Sequence, residues 1–167
     1  MPTTLGAGPQ RPHLSNDWRC VAKCAQDFEG WILDEVPAAA AHVCAGCTAR
    51  SPLLVAGLSM GGFGALRLAG KHPGRIAAAA GHSSITDITE IDALIEEDRR
   101  DWSEAPTDRT VLTALLDAPA PLPPLRFDCG LDDPFLAGNR WLHHALEEAD
   151  IAHFYEESEG GHDWAYW

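Results

Sequence analysis

The sequence predicts an α/β fold, a mostly parallel sheet of about four strands flanked by helices. Three observations carry that expectation. Four short runs, at 52–57, 75–81, 125–129 and 152–156, read as strands, the first two as buried ones. Stretches of helical periodicity alternate with them. A serine bracketed by glycines, Gly57-Leu58-Ser59-Met60-Gly61, stands where the first run gives way to a helix.

Taken in order, residues 1–16 are rich in Pro, Gly and Thr and read as a flexible lead-in, and 17–167 form the folded part. Trp18, Val21, Ala22, Ala25, Phe28, Trp31, Ile32 and Val36 recur at helical spacing, with Asp17 as N-cap and Pro37 just past the end. A short alanine-rich helix is expected within 38–50. Pro-Leu-Leu-Val-Ala-Gly, 52–57, is the first strand and 60–71 the helix after it, stopped by His72-Pro73-Gly74. Arg75 to Gly81 is the second strand. The resulting β-α-β unit predicts parallel strands joined by a right-handed crossover. Residues 84–122 mix two short helical stretches, about 88–100 and 108–117, with proline-rich ends. They read either as a lid-like insertion over the sheet or as an ordinary surface connection. Leu125 to Cys129 is the third strand, 139–149 an amphipathic helix, and Ala152 to Glu156 the fourth strand.

Composition narrows the function classes. The 167 residues are 46% hydrophobic and 22% charged, an ordinary globular balance. Acidic residues outnumber basic ones 25 to 12, giving a formal charge of -13. That charge argues against nucleic acid or an anionic membrane surface as partner and suits solubility. No apolar run approaches the roughly 20 residues of a membrane helix, and the N-terminus has no signal-peptide pattern, so the cytoplasm is the expected location. Five cysteines are too few for a disulfide scaffold. Cys20, Cys24, Cys44 and Cys47 read as small apolar packing residues or, alternatively, as ligands of a structural zinc. No cofactor is implied.

Chemistry concentrates at Ser59. A serine on a tight turn between strand and helix is presented above the C-terminal end of the sheet, where open parallel sheets bind ligands. Gly57 and Gly61 would let the neighbouring backbone approach. The helix N-terminus favours developing negative charge, so the Met60 N–H is a candidate oxyanion donor. Serine needs a base, and the base an orienting acid. Asp132 and Asp133 follow the third strand and His162 follows the fourth, behind Gly160-Gly161. That is the Ser, acid, His order of α/β-hydrolases. His42, His72, His143, His144 and His153 read as structural or solvent-facing. His82 is a candidate for lining the substrate pocket. Trp102, Trp164 and Tyr166 are candidates for its wall, or else core residues.

Four stretches together resemble the esterase D and S-formylglutathione hydrolase-like esterases, a family that includes feruloyl and acetylxylan esterases and mycolyltransferases. They are Gly57-Leu58-Ser59-Met60-Gly61-Gly62-Phe63-Gly64-Ala65-Leu66, Asp128-Cys129-Gly130-Leu131-Asp132-Asp133, Asn139-Arg140-Trp141-Leu142-His143 and Gly160-Gly161-His162-Asp163-Trp164. The helix carrying Trp18 and Asp34-Glu35-Val36-Pro37 adds to the likeness. The resemblance implies an α/β-hydrolase fold and hydrolysis of small carboxylic or thioesters through an acyl-enzyme. It implies Asp133, fourth in Gly-x-x-Asp, as the acid, with Asp132 as fallback. It also implies further strands and an oxyanion loop before the elbow and a helix after the histidine. Neither is found before Trp18 or after Trp167, so the chain is expected to represent the C-terminal catalytic part. The rival expectations are an impaired hydrolase domain acting through a partner or a second copy, and a zinc-stabilised interaction module.

Overall fold

Alternation of apolar strands with amphipathic helices produces a four-stranded sheet, ordered β1-β2-β3-β4 and parallel throughout. The computed structural model describes residues 28–48, 50–93 and 106–167. The strands are β1 Leu54–Leu58, β2 Ala78–His82, β3 Leu125–Gly130 and β4 Phe154–Ser158. Their positions match the four runs, shifted by up to three residues toward the C-terminus. The shift at β2 has a local cause: Arg75 N–H donates to His72 O, holding 72–75 in a turn before the strand begins. His153 therefore stands just before β4 and not within it.

The first described helix departs from expectation. It does not stop before Pro37. α1 Phe28–Gly30 passes into a π turn, Trp31–Glu35, and on into α2 Val36–Val43. Proline has no N–H to offer the carbonyl four residues back, and it normally breaks a helix. Here Val36 N–H reaches back five residues to Trp31 O. The Leu33 carbonyl, the one Pro37 would have served, accepts instead from Arg75 Nη2 at 2.7 Å. A side chain from the following β-α-β unit thus replaces the missing backbone donor. The expected span 17–27 lies outside the described residues, as does the lead-in 1–16.

α3, Met60–Lys71, matches its expected bounds and is the central helix. It packs on β1 and β2 through Phe63, Leu66 and Ala69, all buried. Its far side meets the next helices so closely that a Cβ on Gly70 would lie 2.3 Å from Ala114 O. The 84–122 stretch holds a 3-10 helix Ile88–Ala93, then α4 Pro106–Arg109 and α5 Val111–Leu116, with 94–105 outside the described residues. The expected single helix at 108–117 is split because Thr110 is extended and caps α5, its Oγ1 accepting from Thr113 N–H at 3.0 Å. Val111, Ala114 and Leu115 are buried against α3, so this part of the stretch belongs to the core. α6, Leu136–Glu148, begins three residues before the expected start and buries Asn139, Leu142 and Leu146.

The core of Phe63, Leu66, Ile85, Val111, Phe127, Leu142 and Leu146 lies between one face of the sheet and α3, α5 and α6. On the other face Leu54, Ala56, Phe154 and Glu156 are exposed among the described residues. The expectation of a buried β1 is thus corrected: Leu54 and Ala56 are exposed and Val55, Gly57 and Leu58 half-buried, and no described helix covers the exposed face.

Candidate active site

Ser59 occupies the turn between β1 and α3 with φ 53° and ψ −119°. A serine held at positive φ costs of order 1–3 kcal/mol and persists only where the surroundings enforce it. The enforcement is visible. Ser59 N–H donates to His82 O at 2.8 Å, and Ser59 O accepts from Phe63 N–H at 3.1 Å and Ile85 N–H at 3.4 Å. The glycine requirement differs from the simple motif. A Cβ on Gly57 would lie 2.3 Å from the Gly61 carbonyl carbon, and one on Gly62 would lie 2.1 Å from Ser84 Oγ. A Cβ on Gly61 would meet nothing within 4 Å. Gly57 and Gly62 are the positions where a side chain cannot fit; Gly61 points into open space.

The structure brings Ser59, His162 and Asp133 into one hydrogen-bonded line. His162 Nε2 is 3.0 Å from Ser59 Oγ, and His162 Nδ1 is 2.9 Å from Asp133 Oδ2. The Asp133 side chain is fully buried, and its Oδ1 accepts from Phe135 N–H at 2.8 Å. An ionised carboxylate only accepts, so His162 carries its proton on Nδ1 and leaves the Nε2 lone pair for the serine hydroxyl. Asp132, the fallback, is exposed, and its N–H donates to Gly160 O at 2.9 Å. The loops holding Asp133 and His162 are closely fitted. A Cβ on Gly130 would lie 2.3 Å from Gly160 O. Buried Cys129 sits beneath this acid loop, where burial first and then the nearby Asp133 and Asp128 push its thiol up to about 12. It is a protonated packing group at neutral pH.

Met60 opens α3, and the first N–H groups of a helix have no partner within it. The other expected site residues are dispersed. Trp102 lies outside the described residues. Trp164 is 81% exposed, its ring edge-on to Trp167 at 5.4 Å. The His82 ring pairs with Asp128, Nδ1 to Oδ2 at 2.7 Å, and lines a hollow of about 380 Å³ that Tyr166 and Trp167 share but Ser59 and His162 do not. Tyr166 donates its hydroxyl to Asp128 Oδ1 at 2.9 Å. Burial and that carboxylate hold the phenol above its usual range. Cys44 is exposed and Cys47 half-buried, both as free thiols, which leaves little packing role for Cys44. Cys20 and Cys24 lie outside the described residues.

Two residues at the site, Trp167 and Phe135, carry no motif signal, and Asn139 carries one only as part of the stretch 139–143. Trp167 packs edge-on to His162 at 4.7 Å and anchors its Nε1–H on Ser83 Oγ at 3.1 Å. Phe135 also packs edge-on to His162, at 4.9 Å. Asn139, wholly buried, donates from Nδ2 to Ser84 O at 2.8 Å and Phe135 O at 2.9 Å, tying the acid loop to the loop beneath the elbow. A buried polar residue inside an amphipathic helix was the available clue.

Comparison with known proteins agrees with this geometry. The sequence profile of the family described as "Putative esterase" matches residues 16–167. An acetyl esterase of Caldicellulosiruptor saccharolyticus is 30% identical, over 71% of this chain and 51% of that protein. The chain therefore spans about half the length of that curated relative. The S-formylglutathione hydrolase of Staphylococcus aureus superposes with TM-score 0.72 at 24% identity, covering 91% of this chain and 60% of the other. A fluorophosphonate-binding serine hydrolase of the same organism superposes with TM-score 0.68 at 23% identity, covering 80% and 56%. These likenesses show an α/β-hydrolase fold.

Proposed function

We propose that this chain, which belongs to the "Putative esterase" family, is a serine hydrolase that cleaves small carboxylic or thioesters through an acyl-enzyme. The single observation that carries the reading is the line from Ser59 Oγ through His162 to buried Asp133. Nothing else in a β-α turn calls for a serine at positive φ with an imidazole lone pair 3.0 Å away. The family match over residues 16–167 favours this reading over an impaired domain.

In this reading His162 Nε2 takes the Ser59 proton as Oγ attacks the ester carbonyl. The Met60 N–H donates to the oxyanion. The tetrahedral adduct collapses with cleavage of the bond to the leaving alcohol or thiol, which takes the proton from His162. Water, deprotonated by His162, then attacks the acyl-serine, and the acid departs as Ser59 regains its proton. Asp133 holds the imidazole tautomer and stabilises its charged form. Trp164, Trp102 and His82 remain candidates for substrate contact, and the rest of 84–122 for a lid. The substrate is a small carboxylic or thioester, and the cytoplasm is the proposed setting.

The test is turnover of p-nitrophenyl acetate by the wild type against Ser59→Ala. We expect the variant to fall to the uncatalysed background. Equal rates in the two proteins would remove the enzyme reading.

A further inference from the structure

The C-terminal half of α6 gathers metal-ligand chemistry in residues that take no part in the Ser59, His162, Asp133 line. His143 Nε2 is 3.6 Å from Glu147 Oε1, and His144 Nδ1 is 3.3 Å from Glu147 Oε2. One ligand atom from each of the three residues lies within 4.8 Å of the others. The spacing explains the meeting: residues three and four apart share a helix face. Spacing alone would be weak, since exposed His and Glu often meet by chance.

A second observation fixes the direction of the lone pair. His153 Nδ1 is 2.8 Å from Ile151 O. A carbonyl only accepts, so His153 is protonated at Nδ1, and in its neutral form its Nε2 accepts. His143 Nδ1 is 2.8 Å from that Nε2 and must donate to it. The neutral His143 ring is thereby left with its lone pair on Nε2, facing the Glu147 carboxylate. Two acceptors facing each other call for a cation between them. The outer nitrogen of His143 thus bonds a ring that is itself anchored on a backbone carbonyl, and a hydrogen bond on the outer nitrogen is what orients metal-ligating histidines.

The rings are held in place by packing. His143 stacks on Tyr155 at 4.7 Å, and His153 stacks on Phe127 at 5.5 Å. The nearby cation, Arg140, is occupied by Glu157 through bonds of 2.7 and 2.6 Å. It does not compete for Glu147.

We propose that His143, His144 and Glu147 bind a divalent first-row transition ion of the zinc class, with water completing the coordination and His153 as a positioning residue. Two imidazoles and a carboxylate suit zinc, and all three ligands lie at the surface, where a water can fill the fourth place. The ion would fix the two imidazoles and the Glu147 carboxylate on the last turns of α6.

The test titrates the untagged chain with zinc chloride, counting bound zinc and following imidazole nitrogens by NMR. The expected result is one more zinc per chain in the parent than in His144→Gln or Glu147→Gln, with the His143 Nε2 and His144 Nδ1 signals moving together. His153→Phe, which keeps the stack on Phe127, should weaken that zinc 10–100-fold and release the His143 tautomer. Zinc should raise the melting temperature of the parent and not of Glu147→Gln. Equal zinc content and affinity in parent and variants would overturn the proposal, because zinc would then be held elsewhere, as by cysteines. So would imidazole signals that respond to acid and not to zinc, because a proton alone would then fill the gap.

Discussion

At the scale of the residue, Asp133 and Asp132 are neighbours in sequence with opposite circumstances. Asp133 is buried, with one oxygen on Phe135 N–H and the other on His162, while Asp132 faces solvent. The difference comes from the turn after β3, where Asp133 N–H bonds Gly130 O and directs the second aspartate inward. Asp133→Asn keeps the shape but removes the group that fixes the imidazole tautomer. Under the proposed mechanism, kcat should fall about 10⁴-fold. Asp132→Asn should stay within a few-fold of wild type. Steady-state kinetics on p-nitrophenyl acetate compares them, and a reversed order would move the acid to Asp132.

At the scale of the element, the elbow is where motif and structure part. The G-x-S-x-G pattern assigns equal weight to both glycines, yet only Gly57 abuts backbone. Gly57→Ala should abolish folding or turnover, because the Gly61 backbone cannot recede without unwinding α3. Gly61→Ala should be tolerated and, in the first turn of a helix, gain about 0.4–1 kcal/mol. Thermal melts with turnover separate the two, and equal damage from both would contradict this geometry. The order of strands and the Ser, Asp, His sequence were legible because apolar period, turn residues and chain order are local signals. The helix through Pro37 was not, since its support comes from Arg75, 38 positions along the chain. Trp167 against His162 was equally hidden, because a terminal aromatic looks the same in a core or at a site. The lone-pair direction of His143 depends on a carbonyl at Ile151 that no side-chain pattern reveals.

At the scale of the whole molecule, stability should be graded across the sheet. β2 and β3 each have strand partners on both sides, whereas among the described residues β1 and β4 have one. β2 and β3 also carry the most buried residues, Ala79, Phe127 and Cys129 among them. Amide exchange should therefore be slowest at Ala79–Gly81 and Phe127–Cys129 and faster along β1. Protection of β1 equal to that of β2 would mean that another strand pairs with its open edge. Such grading bears on the proposed chemistry, because Ser59 follows β1 while His162 and Asp133 follow β4 and β3. The elbow is therefore held less by its own strand than by α3, His82 O and the loop at Ile85. Whether the intact chain keeps that arrangement in solution is read most directly by fluorophosphonate labelling followed by peptide mass spectrometry. A competent nucleophile and base give a single adduct on Ser59, lost in Ser59→Ala and strongly slowed in His162→Ala. An unlabelled chain, or an adduct on another residue, contradicts the assignment of Ser59 and His162 as a working pair.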